Sequence, residues 1–361
     1  AGDVTIEATA GAINDDAAGD VTTDITGDVV SLTAATGVGD IDTEAASLDV
    51  SVTGAGAIVI NEADGVDLAD IDTADGAITI NTAGATTITD VASTTDDDAN
   101  DIAITVTGAG AELGTVNAGA AGDVTLTIGG ALTDADTDSL VTSDELVLQV
   151  NGAIGAAGAV INTAAAEYVD IDATAAGAIY LSDADGVDVT AVDTADGAIV
   201  LTTGGATTLT HVASATDADA NDITITATAG DITVANAGVN AGAAGDVTIE
   251  ATTGAINDDT ADPDTTTDIT GDVVTLTAAT GIGAVADIDT QAASLNVSVT
   301  GAGAIVINEA TGADLADIDT FNGAITINTA GATTITDVAS LTDDDANDIA
   351  ITVTGAGAEL G

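Results

Sequence analysis

The sequence predicts an all-β fold, a parallel β-solenoid, from three observations: long internal repeats, apolar residues that alternate with period two, and corners rich in Gly, Asp and Asn. The segment Ala1-Gly-Asp-Val-Thr-Ile-Glu-Ala-Thr9 returns as Ala244-Gly-Asp-Val-Thr-Ile-Glu-Ala-Thr252, an offset of 243 residues. With small insertions the match runs on until Gly108-Ala-Gly-Ala-Glu-Leu-Gly114 returns as Gly355-Ala-Gly-Ala-Glu-Leu-Gly361. A shorter offset of 121 relates Asp75-Gly-Ala-Ile-Thr-Ile80 to Asp196-Gly-Ala-Ile-Val-Leu201, and Asn100-Asp-Ile102 to Asn221-Asp-Ile223. The organisation expected is one continuous solenoid over 1–361, with repeats at about 1–121, 122–243 and 244–361. Because the chain starts and stops inside repeats, it reads as a window of a longer protein.

The local pattern is that of strands. In Asp101-Ile-Ala-Ile-Thr-Val-Thr107 the residues Ile102, Ile104 and Val106 alternate with Ala103, Thr105 and Thr107. In Asp3-Val-Thr-Ile-Glu-Ala-Thr9, Val4, Ile6 and Ala8 alternate with Thr5, Glu7 and Thr9. Period two sends one set inward and the other outward. Gly-rich corners such as Thr53-Gly-Ala-Gly-Ala57 are expected to use positive φ where the chain turns. Strand starts at Gly2-Asp-Val, Gly27-Asp-Val, Ser47-Leu-Asp-Val, Asp75-Gly-Ala-Ile and Asn100-Asp-Ile suggest about 24 residues per coil and roughly 15 coils. Variable loop lengths favour a right-handed helix over a strict hexapeptide left-handed one. β-Propeller blades need about 40 residues or more of antiparallel strand, which this spacing does not supply.

Composition narrows the function. The chain has 61 acidic residues, no Lys or Arg, one His, and neither Cys nor Met. Disulfides, zinc–thiolate sites and iron–sulfur clusters are excluded. With 46% hydrophobic residues and a mean hydropathy of +0.41, it is not a disordered acidic tail. Aromatics are 1%, namely Tyr168, Tyr180 and Phe321, so the interior must be built from small and β-branched side chains. With no basic residue to meet phosphate, nucleic acid is not an expected partner. No apolar run is long enough to span a membrane.

The recurring Gly-Asp-Val-Thr-Ile, Gly-Ala-Ile-Thr-Ile-Asn and Thr-Gly-Ala-Gly-Ala segments resemble those of giant secreted bacterial β-helical repeat proteins. These are the filamentous-haemagglutinin-like shafts and the surface adhesins with acidic Ala/Thr/Asp/Gly-rich repeats. The resemblance covers the whole chain through motifs of low specificity. It implies export, an extracellular or cell-surface location, and a role as an adhesin stalk or spacer. It carries over no catalytic residue.

Charge is the chemical problem. Roughly 15 coils at ~4.8 Å would make a rod of about 70 Å. Its charge density, about 0.9 per Å, would exceed the one per ~1.7 Å of duplex DNA. Divalent cations are therefore the expected partners, and calcium, which takes several oxygen ligands, is the candidate. The candidate ligands cluster at corners: Asp96, Asp97, Asp98, Asn100 and Asp101; Asp217, Asp219, Asn221 and Asp222; Asp343, Asp344, Asp345, Asn347 and Asp348. Asp134, Asp136 and Asp138 have the spacing of an EF-hand opening but lack its Gly and distal Glu. The competing reading is that Asp and Asn occupy these turns because their side chains hydrogen-bond nearby backbone.

Enzymatic function is not expected. His211, the only His, stands where the other repeats have Asp90 and Asp337, and no nucleophile motif accompanies it. The function expected is a stiff acidic filament or stalk, stabilised by cations and able to associate end to end or laterally with copies of itself. The alternatives are a cation- or surface-binding adhesion module, a polysaccharide-acting β-helix enzyme, and an ice-binding array of outward Thr pairs such as Thr105/Thr107 and Thr224/Thr226.

Overall fold

Strands that alternate buried and outward residues leave a row of backbone groups on each edge, and a coil satisfies them by stacking on the next coil. The computed structural model shows this arrangement. It describes residues 2–361 except 17, 18, 20, 21, 135, 136, 138, 236, 260–265 and 343. Among the described residues there is no helix, and the registered strand pairs are parallel. The chain forms two compact units, Ala1–Ser182 and Asp183–Gly361. Each is a parallel β-solenoid, and together they hold about 16 turns spaced by ~21 residues.

In the first unit the strands Ile58–Glu62, Ile78–Thr82, Ile102–Val106, Val124–Ile128 and Leu140–Val150 lie in successive turns. One inward column runs Ile58, Ile78, Ile102, Val124, Leu146 and a second runs Ile60, Ile80, Ile104, Leu126, Leu148. All ten side chains are buried. The outward column between them reads Val59, Thr79, Ala103, Thr125, Val147, and the next outward column reads Asn61, Asn81, Thr105, Thr127, Gln149. The second unit repeats the plan, with Ile199, Ile223, Val247, Val274 and Leu295 in one buried column. Burying each such side chain contributes about 1.5–3 kcal/mol, so the aliphatic columns supply the core that Phe and Trp supply elsewhere. The one large aromatic inside is Tyr168, whose hydroxyl shares a hydrogen bond with Thr163.

The turn is shorter than the sequence suggested, ~21 residues rather than about 24, and the turns number about 16 rather than 15. The difference comes from strand starts that look alike on different faces. Leu48 stacks on Leu68, whereas Ile78 stacks on Ile58. Counting from Ser47-Leu-Asp-Val to Asp75-Gly-Ala-Ile therefore passes from one face to another and absorbs part of a turn.

Glycine at the corners serves the expected left-handed turns, as at Gly37, Gly119 and Gly242, and has a second reason besides. Gly108 does take positive φ, at 77°. Gly56 does not need it; a Cβ there would sit 2.0 Å from the Thr36 carbonyl oxygen of the turn below. Gly303 meets Thr280 in the same way in the second unit. Close approach of stacked backbones, rather than a left-handed conformation, excludes side chains at these two positions.

Candidate functional site

The Asp-rich corners predicted as ligand sets are built around an asparagine, buried at Asn100 and Asn221 and half-buried at Asn347. Asn100 is 2% exposed; its Nδ2 donates to Asp75 Oδ1 at 3.0 Å and to the Thr95 carbonyl at 2.9 Å. Asn221 does the same with Asp196 Oδ1 at 2.8 Å and the Thr216 carbonyl at 2.9 Å. Asn347 pairs with Asn322 Oδ1 at 2.9 Å and the Thr342 carbonyl at 3.1 Å. In each case the amide closes its own loop and ties it to the turn below.

The carboxylates around it divide into three groups. Asp97 Oδ1 accepts the Ala99 N–H and Asp344 Oδ1 accepts the Ala346 N–H, local bonds that shape the turn. Asp96 and Asp101 reach upward, accepting from the N–H groups of Ala121 (2.8 Å) and Asp123 (3.2 Å) in the next turn. Asp217 and Asp222 repeat this with Ala244 (2.7 Å) and Asp246 (3.0 Å). Asp98, Asp219, Asp345 and Asp348 are exposed. Asp134 is buried and caps a turn, with Oδ1 accepting the Thr137 N–H and Oδ2 accepting both the N–H and the hydroxyl of Ser139. Asp136, Asp138 and Asp343 lie outside the described residues. Among the described residues, no group of three or more Asp, Glu or His side chains is arranged to hold a metal ion.

Sequence reasoning looked for ligands within one loop and missed the carboxylates that meet between turns. Asp123 Oδ1 accepts the N–H of Glu145, and Glu145 stands in direct register with Glu167. With Asp101 below, this corner carries a stacked column of acids: Asp101, Asp123, Glu145, Glu167. Acids stacked this closely disfavour one another's ionisation. The Asp123 charge, followed by slight desolvation of this exposed side chain and the Glu167 charge, raises the pKa of Glu145. Burial first, then Asp101, Asp144 and Asp98, raises that of Asp123. A second column joins Asp49, Asp70 and Asp90; burial and then these neighbours raise Asp72, which also accepts the Ser51 hydroxyl at 3.2 Å. The signal that could have found both columns was the turn period itself, applied to acids as well as to apolar residues.

Two glutamates are buried inside. Glu62 Oε2 accepts the Thr43 hydroxyl (2.7 Å) and the Ala45 N–H (3.1 Å), and Oε1 accepts the Asp64 N–H (3.2 Å). Desolvation still raises its pKa. Glu309 has the matching set: the Thr290 hydroxyl (2.8 Å), the Ala292 N–H (3.0 Å) and the Thr311 N–H (2.9 Å). This accounts for the change from Asp64 to Thr311 between repeats, because the backbone N–H at that position is what the buried glutamate uses. His211 Nε2 lies 3.0 Å from Asp193 Oδ1 on the surface.

Comparison with protein-family models, with curated proteins and with solved structures finds no match.

Proposed function

We propose that the chain is a structural element, an acidic stalk or filament segment at the cell surface whose stacked turns are stabilised by cations. The observation that supports this is the triple recurrence of one corner. Asn100, Asn221 and Asn347 tie loop to turn in the same way, and Asp96, Asp101, Asp217 and Asp222 accept N–H groups of the following turn. The acidic residues thus serve the stacking itself, while their remaining oxygens face solvent. Such a surface is strongly hydrated and holds a counter-ion atmosphere. The likeness to secreted β-helical shafts and adhesins fits an extracellular setting.

A second reading, a surface that grips divalent cations or a cationic material, is favoured by the stacked column Asp101, Asp123, Glu145 and Glu167. A thermal melt followed by circular dichroism tests the first reading and separates it from the second. At low ionic strength the melting temperature should rise on adding salt. An equal rise with sodium and calcium at matched ionic strength means diffuse screening. A larger rise with calcium, reversed by chelator, means calcium held at the corners. No rise with either would refute stabilisation by cations.

A further inference from the structure

We propose that Asn322-Gly323 is a site of self-modification, where the backbone nitrogen of Gly323 displaces ammonia from the Asn322 side chain and water then opens the resulting imide to an aspartate. The structural reading above assigns the chain no chemistry. This step goes beyond it and completes one corner of the stack.

The argument starts from three equivalent corners. Asn100, Asn221 and Asn347 each donate a side-chain N–H to the residue that ends a strand in the turn below: Asp75, Asp196 and Asn322. Each of these strand ends leads into the same sequence, as Asp75-Gly-Ala-Ile78, Asp196-Gly-Ala-Ile199 and Asn322-Gly-Ala-Ile325. Two corners therefore have a carboxylate where the third has an amide. Asp75 and Asp196 are exposed, so the position carries its charge facing water.

The third corner uses its amide only as an acceptor. Asn322 Oδ1 accepts the Asn347 Nδ2–H at 2.9 Å and the Thr342 hydroxyl at 2.8 Å. Among the described residues, Asn322 Nδ2 donates to no group. A carboxylate offers two acceptor oxygens and no donor, so it can make every bond that the amide makes here. Hydrogen bonds to an ionised acceptor are also stronger than those to a neutral one.

The attacking nitrogen is equally unengaged. The Asn322 carbonyl accepts the Gly303 N–H at 3.0 Å, but among the described residues the Gly323 N–H donates no hydrogen bond. Glycine is required here by packing. A Cβ on Gly323 would lie 2.0 Å from the Gly303 carbonyl oxygen, and one on Gly76 would lie 2.4 Å from that of Gly56. With no side chain beside it, the Gly323 nitrogen can approach Asn322 Cγ unhindered. Its attack forms the N–Cγ bond and breaks the Cγ–Nδ2 bond, and the N–H proton leaves with Nδ2 as ammonia. The corner uses neither of these groups, so their loss costs it no hydrogen bond.

Water then adds at Cγ. Cleavage of the N–Cγ bond restores the peptide and leaves a carboxylate. Addition at the α-carbonyl carbon would instead give an isoaspartyl link, with one more carbon in the backbone. That link would displace Gly323 against Gly303 and turn the carbonyl that holds the Gly303 N–H into a side-chain carboxylate. The fold therefore directs the opening to the aspartyl product. The other Asn-Gly pair, Asn151-Gly152, differs in that its Nδ2 donates to the Gly129 carbonyl at 3.3 Å, a bond that loss of ammonia would break.

The test incubates the 361-residue chain in mildly alkaline buffer, folded and, in parallel, unfolded in guanidinium. Peptic peptides are mapped by mass spectrometry, with electron-transfer fragmentation to tell aspartyl from isoaspartyl links. The folded chain is expected to gain an acid at Asn322, mainly as the aspartyl product, whereas the unfolded chain yields isoaspartyl links as well. Asn322→Asp sets the product in place from the start. It should melt no lower than the parent in about 0.15 M salt, where the screening length is about 8 Å. A folded chain whose Asn322 is still intact when the unfolded chain has fully reacted overturns the proposal. So does a folded product that is mainly isoaspartyl, or an Asn322→Asp variant that melts well below the parent. The structural reading would survive each of these failures, because it is tested by the salt response of the parent's melt.

Discussion

Identical strands in different places behave differently in this molecule. Ile-Ala-Ile-Thr-Val occurs as Ile102–Val106 and as Ile349–Val353. In the first, Ile102, Ile104 and Val106 are each 1% exposed, lying between Ile78–Thr82 and Val124–Ile128. In the second, paired on one edge only, Ile349 is 45% exposed and Ile351 and Val353 are half-buried. Val-Thr-Ile-Glu-Ala shows the same contrast, fully buried along its inward side at Val247, Ile249 and Ala251 but open at Ile6. The alternation that selects inward residues is local. The burial that makes them stabilising belongs to the turn above and the turn below, so stability is close to a sum over neighbouring interfaces.

The largest effect should come from deleting one side chain in both settings. Ile104→Ala removes buried methyl and methylene groups from a packed column and should cost about 2–5 kcal/mol. Ile351→Ala makes the same change where one side is already open, and should cost well under half as much. Urea unfolding followed by circular dichroism measures both. Equal losses would mean that the second column position is as packed as the first, and the nearest-neighbour picture would be wrong.

The same contrast explains what could be read in the sequence. The inward set Ile102, Ile104, Val106 and the stacked repeats were legible because period two and the 243-residue offset are properties of the string itself. The turn count was not, because Leu48 and Ile78 open similar strands on different faces. Nor were the acid columns. Asp123 and Glu145 lie 22 residues apart, and loops of variable length hide that they adjoin. Buried Glu62 was missed for a related reason: its donors, Thr43 and the Ala45 N–H, come from the previous turn. Of the predicted ligand residues, Asn100 and Asn221 turned out to be buried staples, a role that Asn composition at corners suggested only in general form.

Those staples give an intermediate effect. Asn100→Ala leaves the Thr95 carbonyl and Asp75 Oδ1 without the bonds the amide donates, and should cost about 1–3 kcal/mol. Asn100→Asp should cost more, because it sets a carboxylate against that of Asp75 at a 3.0 Å contact. Asn347→Ala should cost less than Asn100→Ala, since the half-buried Asn347 loop admits water to the vacated partners. The order of the three urea midpoints is the measurement. Asn100→Asp matching the parent would show that the amide is not what holds this corner.

The smallest effect is electrostatic and separates the interior of a stack from its edge in another way. Glu145 has acidic neighbours on both sides, Asp123 below and Glu167 above, and its pKa is raised chiefly by Asp123. Glu62, Asp72, Asp90, Asp123 and Asp172 are raised chiefly by burial. A carboxyl whose folded pKa lies above its unfolded value holds its proton more tightly in the fold. Stability then falls as pH rises through that interval, and grows as pH is lowered from neutrality towards the ordinary carboxylate range near about 4. The chain should therefore melt at a higher temperature at mildly acidic pH than at pH 7, the reverse of a protein whose carboxylates are held by cationic partners. Glu145→Gln removes one member of the column and should flatten this pH dependence slightly at low salt. Screening should erase the difference between Glu145→Gln and parent, because the repulsion from Asp123 acts through solvent, while the part due to buried Glu62 should persist at high salt. A melting temperature that falls steadily from pH 7 to pH 5 would show that the acid columns are held by favourable partners in the fold rather than strained by one another.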